Sequence, residues 1–158
     1  MTRLALGVIL GFGVVSAATG GQVLAKAAVH PTATTSEARK AIIRRYIAIW
    51  ESGRVDRLGG IIGTGYVGHA ASGDRDLAGL RARIAAFRAA YPDMRFTIED
   101  QLADGDRVAT RMTAVGRSGG SGQSVRLVGI NISRFVGSRI VEEWPAWEPV
   151  TGAAARPQ

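Results

Sequence analysis

Cysteine is missing from all 158 residues, which excludes a disulfide framework, a thiolate zinc site, an iron–sulfur cluster and a cysteine nucleophile. Histidine occurs only at His30 and His69, too few for a three-histidine metal centre. No phosphate loop is present either; chemistry without a metal or cofactor, or plain binding, is the expectation. Aromatic residues make up only 6% of the chain, and its basic residues are scattered among acids. A nucleic-acid surface combines a basic stripe with stacking aromatics, so no nucleic-acid partner is expected. The net charge of +7 reads as a solvated basic surface.

What is present begins with an export signal. Arg3 precedes an uncharged apolar run from Leu4 to Val15, and small residues lead on to Ala25-Lys26-Ala27. A positive start, a short apolar core and an Ala-x-Ala exit describe a secretory signal peptide over residues 1–27. The run is about a dozen residues long, short of the ~20 that span a bilayer. The expectation is an exported protein, periplasmic or secreted, with no membrane association after cleavage. Without Arg3 and Lys26 the net charge falls to +5. Residues 28–35 read as a flexible lead-in, 36–148 as a single domain and 149–158 as a flexible tail. A content of 46% hydrophobic residues is enough for one packed core.

The domain reads as helices followed by strands. Thr34 and Glu37 fit a capping box ahead of Ile42, Ile43, Tyr46, Ile47, Ile49 and Trp50, which recur at helical spacing until Gly53. A short helical piece, Val55–Ile62, contains Gly59-Gly60, and Tyr66–His69 is extended. Asp74 or Asp76 caps a third helix carrying Leu77, Leu80, Ile84, Phe87 and Tyr91, which Pro92 stops. Beyond Pro92, residues 95–103 and 107–116 flank Asp104-Gly105, a hairpin turn. Residues 125–135 and 139–147 flank Gly137-Ser138. Helices first and antiparallel strands afterwards define an α+β class.

Five segments in this order carry a family resemblance: Trp50–Gly53, Tyr66–His69, Tyr91–Met94, Asp104–Val108 and Arg139–Trp144. Together, over about Ser36 to Glu148, the sequence resembles the SnoaL-like polyketide cyclase (ester cyclase) family of the nuclear-transport-factor-2-like superfamily. The resemblance implies a cone-shaped curved antiparallel sheet with three N-terminal helices around an apolar pocket, a hydrophobic small-molecule ligand, and a homodimer formed through the open sheet face. It also implies acid/base chemistry by a carboxylate. The family's aspartate four residues after the tryptophan falls at Glu148, with Glu143 as the substitute. His69 matches a family histidine after the Tyr-Val pair, and Ser133 stands where cyclases carry a histidine before an arginine. In this reading Glu148 or Glu143 takes a proton next to a carbonyl, and His69 and Asn131 hold the enolate. Ser133, Arg111, Trp144 and Tyr66 complete the set of candidate substrate contacts, while Asp93 makes a turn.

Two other functions fit the same fold. One is a non-catalytic exported binding or dimerisation domain, favoured because Ser133 cannot titrate near neutrality. The other is an epoxide hydrolase, which needs Arg111 between two acids, one of them Glu143 or Glu148.

Overall fold

The computed structural model describes residues 33–150. The signal-peptide and export readings, most of the lead-in and the end of the tail lie outside the described residues.

Helix α1 (Ala33–Ser52) carries Ile42, Ile43, Tyr46, Ile47 and Ile49 on one buried stripe. It starts three residues inside the expected lead-in. Gly53, at φ 73°, closes it by donating its N–H to the Ile49 carbonyl at 2.8 Å; this left-handed conformation is one that glycine adopts without a Cβ penalty. The second helical piece is a single 3-10 turn, Val55–Gly60, anchored by buried Leu58. Strands β1 (Ile62–Ala70) and β2 (Gly73–Arg75) precede helix α2 (Leu77–Ala90). Asp76 caps α2 by accepting from the Gly79 N–H at 2.8 Å, and Leu80, Ile84 and Phe87 are its buried face. Strands β3 (Arg95–Asp104), β4 (Arg107–Arg117), β5 (Ser124–Val136) and β6 (Arg139–Pro149) follow, with Gly105 and Gly137 at positive φ in the β3–β4 and β5–β6 turns.

The six strands form one curved, unclosed sheet in the order β2-β1-β6-β5-β4-β3. Pairing from β3 to β6 is antiparallel as expected. The sheet as a whole is mixed, because β1 lies parallel to β6. The two helices cover one face only. Between that face and the helices sits the core of Ile43, Leu58, Ile84, Phe135 and Ile140, each contributing about 1.5–3 kcal/mol by burial. A second cluster of Phe87, Met94 and Ala114 lies beside it. No helix among the described residues is long and apolar enough to cross a membrane.

Candidate functional site

Side chains alternate across a strand, so register decides what faces the helices. In β5, Leu127, Gly129, Asn131 and Ser133 point inward, and in β6 their partners Pro149, Trp147, Pro145 and Glu143 do the same. A bulge sets the parity of β6: Phe135 pairs with Ile140 and Arg134 with Glu142, leaving Val141 unopposed. Ile140 and Glu143 therefore both face the core although they are three residues apart. Without the extra residue Glu143 would point outward.

The inward residues enclose a cavity of about 330 Å³. Its walls are mostly apolar: Trp50 from α1, Leu80 and Phe87 from α2, Phe96 from β3, Met112 from β4 and Trp147 from β6. Trp147 lies so close over β5 that a Cβ at Gly129 would come within 2.4 Å of the indole. Phe96 meets both Phe87 and Trp147, with ring centroids 5.8 Å apart in each pair.

Glu143 is the acidic residue of this cavity. It is 3% exposed and receives four hydrogen bonds. Tyr46 and Tyr66 donate their hydroxyls to Oε2 at 2.8 and 2.7 Å. Asn131 donates Nδ2 to Oε1 at 2.6 Å, and Ser133 donates Oγ to the same oxygen at 3.1 Å. One helix and two strands thus converge on one carboxyl group, and the four donors fill the acceptor capacity of an ionised carboxylate. Burial raises the Glu143 pKa above the ordinary carboxylate value, outweighing the hydrogen bonds that favour the charged form. Burial, and then the charge of Glu143, raise Tyr46 and Tyr66 as well, so both phenols stay protonated and remain donors.

Of the residues singled out in the sequence, Glu143, Asn131, Ser133 and Tyr66 come together here. The others do not. Glu148 shares the outward parity of Glu142, is exposed at the end of β6 and pairs with Val128 on the uncovered face. Arg111 is exposed on that same face of β4, opposite Ile130. Among the described residues it bridges no pair of acids, and the epoxide-hydrolase arrangement does not form there. His69 and Trp144 are also on the outer face, stacked on each other at 5.2 Å. His69 Nδ1 contacts Asp74 and Nε2 contacts Glu142, each at 2.9 Å. Acids lie at both ring nitrogens, and the hydrogen bond to Glu142 first, then that to Asp74, raises the His69 pKa above the ordinary imidazole value. Asp93 accepts from the Arg117 N–H at 2.7 Å, joining the turn after α2 to the end of β4.

Sequence reasoning placed Tyr46 in the core but missed its role. The available signal was a phenol on a buried helical stripe, since a buried hydroxyl needs a partner.

Comparison with known structures places this geometry in a family. IdmH from Streptomyces antibioticus, whose proposed activity is polyketide cyclisation, is similar at 28% identity with a TM-score of 0.62, over 70% of this chain and 91% of that one. A SnoaL-like polyketide cyclase from Agrobacterium tumefaciens matches at 20% identity and TM-score 0.62, over 70% and 91%. AclR from Streptomyces galilaeus, for which a hydroxylase activity has been proposed, matches at 22% identity and TM-score 0.66, over 72% and 76%. At their identities the last two show likeness of fold alone. A comparison with curated proteins found no match. The profile of the SnoaL-like polyketide cyclases matches residues 40–154, and the chain belongs to that family.

Proposed function

We propose that the protein is a cofactor-independent cyclase or isomerase-type enzyme that uses Glu143 as its acid/base group on a hydrophobic carbonyl compound. One observation carries this reading: a carboxyl group buried in the wall of an apolar cavity, with its pKa pushed up. A base is most effective when its pKa lies near the working pH, and burial moves a carboxylate in that direction. The ionised Glu143 takes a proton from the carbon next to the substrate carbonyl, leaving an enolate. The enolate carbon attacks a second carbonyl carbon to form the ring bond, and the proton held by Glu143 passes to the resulting alkoxide. No proton or electron is gained or lost overall. Tyr66, whose hydroxyl reaches Glu143 from the cavity wall, donates to the oxygen where negative charge develops. This is the role that the sequence had offered to His69.

The test is exchange of α-hydrogens for deuterium in a simple aromatic ketone such as 2-tetralone, followed by NMR. The wild type is expected to accelerate exchange, and Glu143→Gln to lose about 10²–10⁴ of that acceleration. Full activity in Glu143→Gln would overturn the reading. A second reading has its own support, because four donors saturate the carboxylate in the cavity wall. If the ketone binds without exchange in the wild type, the protein is a non-catalytic binding domain. We also propose that the molecule works as a homodimer, with a second copy covering the uncovered face of the sheet.

A further inference from the structure

Two arginines border the cavity, Arg75 from β2 and Arg83 from α2. Arg83 lies one turn from both Leu80 and Phe87 on the stripe that faces the cavity, and its own side chain is exposed at the rim. Arg75 is half-buried. Its stem runs beside Gly68 and Gly79, where a Cβ would come within 3.2 and 3.0 Å of it. Its guanidinium touches Ser72 Oγ at 3.4 Å, and its charge reaches Tyr66 inside the cavity. Among the described residues, neither arginine has a carboxylate within 4.0 Å. Lys40 with Glu37 and Arg134 with Glu142 are among the side chains that do. Two guanidiniums without carboxylate partners thus stand at the entrance of an otherwise apolar cavity, where they can hold an anion. The forked geometry of a guanidinium fits a planar carboxylate through two parallel hydrogen bonds.

We infer that the ligand of this cavity is an amphipathic acid. Its apolar, carbonyl-bearing body fills the space between Trp50, Phe87 and Trp147, and its carboxylate lies at the entrance between Arg75 and Arg83. This inference rests on the cavity being the substrate site, and it adds the ligand's charge and orientation. Holding the acid at the rim leaves the opposite end of the body directed inward, towards Glu143, and keeps the ligand's charge on the solvent side. Ala70 at the end of β1, with Ala71 and Ser72 in the turn before β2, lines the same cavity with small side chains.

The experiment uses a matched pair of probes, anthracene-2-carboxylate and its primary amide, which share a body and differ in charge. Each is titrated into the full protein at low ionic strength and pH 7, with binding read from tryptophan quenching. The carboxylate is expected to bind at least tenfold more tightly than the amide, with the gap narrowing as salt is added. The double variant Arg75→Gln/Arg83→Gln is expected to bring the carboxylate down to the amide's affinity and leave the amide unchanged. Arg81→Gln, exposed on α2 and absent from the cavity lining, is expected to alter neither. Equal affinities in the wild type, or a preference that survives the double variant, would overturn the inference while leaving Glu143 chemistry standing. Failure of both probes to bind would remove the cavity as a site and the inference with it. Loss of ketone exchange in Glu143→Gln with the carboxylate preference intact would show that the two roles are separate.

Discussion

At the scale of single residues, Glu143 couples the site to stability. Its folded-state pKa is raised above the ordinary value of 4.5, so folding favours the protonated form. The contribution of this group is therefore fully present below about pH 4.5 and is lost as pH rises through the raised value. In Glu143→Gln, which cannot ionise, the urea midpoint is expected to vary less between pH 4 and 8 than in the wild type. Parallel pH profiles would show that Glu143 titrates like an exposed acid. Tyr66→Phe removes a donor that favours the charged form, so the Glu143 pKa is expected to climb further. A carbon-13 titration of the side-chain carboxyl would measure that shift, and an unchanged value would place the Tyr66 bond outside the network. The carboxylate itself was legible in the sequence as a substitute for Glu148, but which of the two faces the cavity was not. The bulge at Val141 reverses the parity of β6, and no local residue type announces it. The same parity puts Trp144 on the other face, and the alternation of β4, with Thr110 and Met112 buried, puts Arg111 there.

Elements are held by contacts of longer range. The β1–β2 hairpin is tied across its own turn by His69 with Asp74 and to β6 by His69 with Glu142, which Arg134 also engages at 2.6 Å. Arg107 lies over the Trp144 ring, with its guanidinium carbon 5.2 Å from the ring centroid. The pKa of His69 is raised above 6.5, so its contribution is fully present below that pH and is lost as pH rises through the raised value. Glu142 is lowered from 4.5 by His69 first and then Arg134, so its contribution is present above 4.5 and is lost as pH falls through the lowered value. Both contributions are complete only between these limits. Amide-exchange protection in Gly73–Arg75, corrected for the intrinsic pH dependence of exchange, is expected to be greatest there and to fall as pH rises through the raised His69 value, and His69→Gln is expected to abolish that fall. A second element-level prediction concerns Gly129, which lets Trp147 lie against β5. Gly129→Ala forces the indole away and is expected to cost about 1–3 kcal/mol, as overpacked cores do; urea unfolding would measure it. The α2 cap, narrowed to Asp74 or Asp76, the proline after the helix and both turn glycines were readable because their signals are local. The parallel pairing of β1 with β6 was not, since Ile62 and Ile140 meet across almost the whole domain with nothing in either segment to name the partner.

At the scale of the whole molecule, one face of the sheet lies under the helices and the other is left open. That open face carries Val115, Val128 and Ile130, which are 43, 39 and 47% exposed on adjacent strands. Clustered apolar residues of this kind on a sheet face mark an interaction surface more often than scattered ones do. Their cross-strand neighbours carry both signs of charge: Arg126 opposite Val115, Arg111 opposite Ile130 and Glu148 opposite Val128. A two-fold related copy of the same face would bury the three apolar side chains and set arginines of one protomer against Glu148 of the other, the self-complementary arrangement that an isologous dimer requires. In such a dimer Glu148 and Arg111 would serve assembly in place of chemistry. Sedimentation at micromolar concentration is expected to show a dimer. Ile130→Glu is expected to give a folded monomer, because the side chain makes no part of the core and its replacement places like charges across the two-fold axis. Arg111→Glu is expected to weaken the dimer at low salt, with less effect at high salt. A wild type that sediments as a monomer at these concentrations would leave the open face without a second copy of this chain. A dimer unaffected by Ile130→Glu would place the contact elsewhere on the molecule.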